Sequence, residues 1–189
     1  DNVYDNAPIG RELPVDVDLI ERVEIVRGST SSLYGTSAFM AVINVITKRG
    51  RDVGGVEVSA EGASAGTYRG RFSYGSKLTD DFEMLLSGSY YDSGGKRAIY
   101  YQEFDTPATN NGIAMNLDGE ESKTFLANLY FRDFTLHGTY GSRQKSYPTA
   151  SYGTVFNDPR ARTSDRRGYL DLQYAHTFNK KLGLLARAS

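Results

Sequence analysis

From Gly54 to its end the chain repeats one pattern, a two-residue alternation of apolar and polar side chains, and that period fits strands and not amphipathic helices. In 55–61, Val56, Val58 and Ala60 share one face while Glu57, Ser59 and Glu61 share the other. Tyr68, Phe72 and Tyr74 then oppose Arg69, Arg71 and Ser73. Phe82, Met84, Leu86 and Tyr90 oppose Glu83, Ser87 and Ser89, with Leu85 a lone exception on the polar face. Three more runs follow, carried by Phe125, Ala127, Leu129 and Phe131, by Phe134, Leu136 and Tyr140, and by Leu170, Leu172, Tyr174 and Phe178. A seventh begins at Leu182. The alternation thus predicts about seven strands of roughly 9 to 12 residues. With 14 Tyr, 20 Gly and only 5 Pro, the composition favours strands and turns as well.

The connections carry a second signal. Residues 77–81, 132–133 and 179–181 are tight links, whereas about 29 residues (93–121) and about 20 (144–163) separate the third strand from the fourth and the fifth from the sixth. Long polar loops at one end and short turns at the other mean that the two ends of the sheet face different surroundings. Outer-membrane barrels have this asymmetry, and their strands alternate for a reason: in hydrocarbon every backbone group must pair, so the sheet closes, with apolar side chains toward lipid and polar ones toward the lumen. The link at 62–66 falls at the loop end yet is short. A soluble β-sandwich shows the same period, so a surface or soluble sandwich that binds carbohydrate through Tyr-rich loops stands as the alternative.

Charge and inventory exclude other classes. Lys and Arg number 22 against 23 Asp and Glu, a net charge of -1 that lacks the basic excess of nucleic-acid binders, so no nucleic-acid partner is expected. There is no Cys for a disulfide scaffold, a thiolate metal site or a cysteine nucleophile. No apolar stretch reaches the roughly 18 to 20 residues of a spanning helix. His137 and His176 are the only histidines and have no metal-ligand spacing, so neither a metal site nor a catalytic constellation is expected and the chain reads as a non-enzyme without a cofactor. Asp16/Asp18, Asp80/Asp81 and Asn157/Asp158 read as solvated turns rather than calcium ligands. The chain opens on Asp rather than Met and has no secretory leader, which reads as a processed or truncated start.

Residues 1–53 read differently. A short alternating run at 21–27 is followed by Gly28, a Ser/Thr cluster able to cap one or two helical turns, and Gly35 able to end them. Residues 39–47 are apolar almost throughout and β-branched, which predicts a buried strand. Ile20-Glu21-Arg22-Val23-Glu24-Ile25-Val26-Arg27-Gly28, then Ser31-Ser32-Leu33-Tyr34-Gly35, then Ala41-Val42-Ile43-Asn44-Val45-Ile46-Thr47-Lys48 closely resembles, in order and spacing, the C-terminal half of the plug domain of TonB-dependent outer-membrane receptors. Ser29 stands where that family usually has Pro, and Met40-Ala41 where small residues or paired glycines are common. The resemblance is specific over 18–50 and architectural beyond it.

The resemblance implies a division into 1–53, the C-terminal part of a plug, and 54–189, the first seven or so strands of a barrel of about 22 antiparallel strands that encloses the plug. It implies a piece of a larger receptor in the outer membrane of a Gram-negative bacterium, surrounded by lipid bilayer and lipopolysaccharide. The inner-membrane TonB complex would energise uptake of a scarce ligand, a ferric siderophore or another metal complex, and no bond would be broken. It places Asn2, Val3, Tyr4, Asp5 and Asn6 at a plug apex as candidate ligand contacts, and Glu24 and Arg27 where plug charges pair with the barrel wall, with Glu57, Glu61, Arg69, Arg71 and Glu83 as candidate partners. In the long loops Arg97, Tyr100 and Tyr101, and Arg143, Lys145 and Tyr147, combine cations with aromatics, which suits anionic or aromatic ligands. Arg166 and Arg167 are candidates for lipopolysaccharide phosphates at the outer rim.

Overall fold

The computed structural model describes residues 10–28 and 41–189. The Ser/Thr-capped turn expected after Gly28 and the candidate contacts Asn2, Val3, Tyr4, Asp5 and Asn6 lie outside the described residues. Two 3-10 turns, Gly10–Glu12 and Val17–Leu19, lead into strand β1 (Ile20–Arg27), which pairs antiparallel with β2 (Ala41–Thr47). A single helical turn, α1 (Gly50–Val53), follows and ends on Gly54 in the left-handed conformation.

The rest is an antiparallel meander. Strands β3 (Gly55–Ala63), β4 (Thr67–Lys77), β5 (Phe82–Ser93), β8 (Glu120–Phe131), β9 (Phe134–Ser146), β10 (Arg162–Asn179) and β11 (Leu182–Ala188) form one seven-stranded sheet in chain order. Its two edges are β3 and β11, so the sheet is open. Within the first long connection, β6 (Ala98–Tyr100) and β7 (Ile113–Met115) make a small hairpin of their own. Strand β10 is longer than expected and starts at Arg162, which leaves 147–161 as the second long connection.

The two faces of the sheet have inverted polarity for a water-soluble protein. In β4 the odd-numbered residues from Thr67 to Gly75 are covered and Tyr68 and Phe72 are exposed; in β5 Glu83, Leu85 and Ser87 are buried. Val58 is 69% exposed, Phe72 56% and Leu170 64%, while Arg71 is 5%, Asn128 1% and Asp171 2%. Residues opposite one another in an antiparallel pair share a face, so the register Val58↔Phe72 and Phe125↔Tyr140 carries the apolar face from strand to strand.

The N-terminal stretch lies on the polar face. Leu19 packs there against Leu85 and Leu126, with Val15 and Val53 at the margin. Leu85, the exception in the alternation, is thus the apolar spot where the N-terminal unit docks. Helix α1 approaches closely because Gly50 and Gly75 face each other: a Cβ on Gly75 would stand 2.7 Å from the Val53 Cβ and 2.8 Å from the Gly50 oxygen. One expectation is corrected. In residues 41–47, expected to form part of a buried strand, no residue is buried: Ala41, Ile43 and Asn44 are exposed, Ile43 at 60%, and the other four are half-buried. Strand β2 pairs only with β1, and a two-stranded ribbon covers neither of its own faces.

Candidate functional site

Three sets of polar contacts fasten the N-terminal segment to the sheet. At the turn end, Glu83 on β5 accepts from the Arg51 backbone N–H at 3.0 Å and from its guanidinium at 2.5 Å, and Arg49 stands 3.4 Å away. The Arg49 guanidinium lies over the Tyr130 ring at 4.1 Å. Beside them the Asn128 amide donates to the Thr47 hydroxyl at 2.9 Å, and its oxygen meets His137 Nδ1 at 2.9 Å.

In the middle, Arg69 pairs with Asp16 and, at 3.0 Å, with Asp18, while its other nitrogen donates to Glu61 at 2.8 Å. Arg71 pairs with Glu57, lies 3.7 Å from Asp18 and donates to Ser73 at 2.8 Å. Asp16 is held in place by its own turn, its carboxylate accepting from the Asp18 N–H at 3.1 Å as the cap of Val17–Leu19. At the loop end, Arg143 donates to Glu120 at 2.8 Å and to Glu12 at 3.1 Å, with Asp165 at 3.5 Å. Pro14 sits against Gly141, where a Cβ would come within 2.9 Å of the proline Cβ.

Ion pairs of this kind, in which one partner is buried and the other mostly reaches solvent, contribute little net stability, since desolvation offsets the attraction. What they do is forbid alternatives, because sliding the segment would strand buried charges. The polarity reverses along the seam. Toward the loops, carboxylates of the N-terminal segment meet arginines of the sheet, although Arg11 of the segment also stands 3.9 Å from Glu120; toward the turns, arginines of the segment meet a sheet carboxylate.

A cleft of about 420 Å³ opens between residues 10–17 and the loop-side parts of β3, β4, β5 and β8. Arg11 roofs part of it, its guanidinium 3.4 Å above the Tyr91 ring. The two long connections pack on one another beyond it. Phe104 stacks on Phe156 at 4.3 Å, Tyr101 meets the same ring edge-on at 6.0 Å, and the Met115 N–H donates to Asn157 at 3.1 Å.

The expected contact residues separate accordingly. Arg97 is exposed, and its carbonyl accepts from Asn116 at 2.8 Å. Tyr100 donates to Asp105 at 2.8 Å, a bond that pushes its phenol pKa up, and burial does the same for Tyr101. Arg143 belongs to the seam, and Lys145 is held by Asp118 at 2.7 Å. Burial works to raise the Asp118 carboxyl, but the hydrogen bonds from Lys145 and the Lys96 N–H outweigh it and leave it below the usual carboxylate value. Tyr147 is half-buried, its N–H donating to Ala161 at 3.2 Å. Arg166 points outward on β10 and Arg167 inward.

Glu24 is engaged inside the hairpin, by Arg22 at 2.9 Å and Asn44 at 3.3 Å. Among the described residues, the ion pairs to the sheet come from Arg11, Glu12, Asp16, Asp18, Arg49 and Arg51 rather than from Glu24 or Arg27. Arg69, Arg71 and Glu83 take partners from the N-terminal segment; Glu57 and Glu61 pair within the sheet. Asp16, read from sequence as part of a solvated turn, is buried because Arg69 needs it. The signal that could have found this docking site is the pair of apolar residues, Leu85 and Leu126, on an otherwise polar face. No protein-family model matches the chain.

Proposed function

We propose that this chain is the C-terminal part of a plug and the first seven wall strands of a TonB-dependent outer-membrane receptor, which takes up a scarce ligand, a ferric siderophore or another metal complex, at the expense of energy from the inner membrane. The observation that carries the reading is the inverted sheet. Its polar face is covered by a small unit held through half-buried ion pairs, and its apolar face is bare among the described residues. A sandwich would bury the apolar face against a second layer; a plugged barrel turns that face to lipid and the polar one to the plug. The ordered match over 18–50 supports the same assignment.

In this reading the chain contributes no catalysis. The three fastenings hold the plug in register with the wall, and the long connections, with the cleft beneath them, face outward toward the ligand. The test is fractionation of the parent protein in Gram-negative cells. It is expected to sediment with outer membranes, to need detergent for release and to rise in abundance under iron limitation. Recovery in the soluble fraction without detergent sinks the membrane assignment, and indifference to iron sinks the ligand class.

A further inference from the structure

On the bare face the apolar band ends, toward the turns, in a row of rings. The register sets Phe82, Phe131, Phe134 and Tyr174 side by side across β5, β8, β9 and β10. Phe82 meets Phe131 edge-on at 6.1 Å, and Phe134 lies 4.8 Å from Tyr174. Two positions beyond Tyr174, and so on the same face, comes His176. Its ring stacks with Tyr174 at 6.2 Å and meets Phe178 edge-on at 4.5 Å. An ionisable side chain set among lipid-facing apolar groups is costly and is kept for a function, with a polar partner beside it.

That partner is Asp133. Because a carboxylate only accepts, His176 Nδ1 carries the hydrogen and donates to Asp133 Oδ2 at 2.8 Å, which leaves the second oxygen for another donor. The Asp133 carbonyl accepts from the Ala175 N–H at 2.9 Å, so the turn between β8 and β9 is pinned against β10. Arg132, the other residue of that turn, holds its guanidinium carbon 5.4 Å from the centre of the Phe131 ring. Its contact with Asp81 is long, 3.4 Å, and both side chains are well exposed. Two consecutive residues thus offer a cation and an anion beside exposed rings, Phe131 at 49%, Phe134 at 46% and Phe178 at 56%.

The rim as a whole is close to neutral. In the three tight turns Lys77, Arg132, Lys180 and Lys181 stand against Asp80, Asp81 and Asp133, and Lys77 is taken up by Asp80 at 2.7 Å. A purely anionic headgroup would satisfy Arg132 and leave Asp133 facing its negative charge. A zwitterion satisfies both: its phosphate takes the guanidinium in a charge-assisted bond, and its ammonium takes the carboxylate and the faces of the rings. The next row of the same face, Met84, Leu129, Leu136 and Leu172, supplies apolar surface for acyl chains. We infer that this rim seats a phospholipid with a phosphoethanolamine headgroup, its phosphate at Arg132 and its primary ammonium at Asp133. The inference rests on the membrane reading for the presence of lipid and adds which lipid is held and where.

Native mass spectrometry of the parent receptor tests it, with the protein stripped of lipid in detergent and given equal amounts of phosphatidylethanolamine, phosphatidylcholine and phosphatidylglycerol carrying the same acyl chains. Phosphatidylethanolamine is expected to bind at least about fivefold more tightly than either rival. The choline cation cannot donate a hydrogen bond to Asp133, and the glycerol headgroup brings no cation at all. Asp133→Asn is expected to erase most of that preference, and Arg132→Gln to weaken all three lipids by several-fold. Lys77→Ala, a charge change elsewhere on the same rim, is expected to leave the ratios alone. Far-UV circular dichroism reports separately that each variant is folded. Equal binding of the three lipids, a preference for either rival, or an unchanged preference in folded Asp133→Asn overturns the inference. A parent protein released without detergent sinks the membrane reading instead, and that result comes from fractionation, before any lipid is added.

Discussion

Two arginines of the N-terminal segment share Glu83, which is almost fully buried while they reach solvent. Glu83→Gln removes the charge while keeping the shape, and the arginines can rehydrate. The expected loss is therefore about 1–3 kcal/mol, read as a lower urea midpoint by far-UV circular dichroism. Lys77→Ala, which breaks a pair with a fully exposed Asp80, should change stability by less than about 0.5 kcal/mol. A second residue-scale prediction concerns acid. Arg160 donates to both Asp158 oxygens and holds its carboxyl at about 2, below the usual 3.8. A depressed folded value means that this turn's stabilisation is complete above the unfolded pKa and is lost as pH falls from near 4 through about 2. A carbon-detected NMR titration of Asp158 should return to the ordinary range in Arg160→Ala. At this scale Arg69, Arg71 and Glu83 were legible as inward charges needing partners. Which residues would answer them was not, because Asp16 and Arg51 lie dozens of positions away and nothing local marks them.

At the scale of elements, α1 is a four-residue turn that packing holds in place, since a helix this short has little stability of its own. Gly75 admits it. Gly75→Ala forces Val53 and the Gly50 carbonyl aside and should cost about 1–3 kcal/mol, with faster hydrogen exchange at the Gly54 N–H, which closes the turn on the Gly50 carbonyl at 3.0 Å. Strand positions were readable because period two is local. The β6–β7 hairpin was not, since its three-residue strands carry no period and owe their order to the Tyr101, Phe104 and Phe156 cluster formed across two connections. Strand β2 shows the opposite failure. Its almost wholly apolar run looked buried, but an apolar run reports what a strand tolerates and not what covers it.

For the whole molecule, the proposed receptor makes a sharp distinction between the two faces of the sheet. Phe72 sits mid-strand on the bare face, and in a soluble protein an exposed Phe72→Arg should be near neutral. Facing lipid near the bilayer midplane, the same change should cost about 2–4 kcal/mol, measured by refolding the parent receptor into phospholipid vesicles. A shift below about 0.5 kcal/mol would argue against lipid contact. The sequence by itself determined the seven main strands, the tight links between some of them and the sorting of their side chains into two faces, because each follows from neighbours along the chain. Only the tertiary structure decided which face is covered and by what. Alternation is symmetric between inside and outside, and the choice depends on distant groups, Leu19 against Leu85 and Leu126, Asp16 against Arg69, meeting in space.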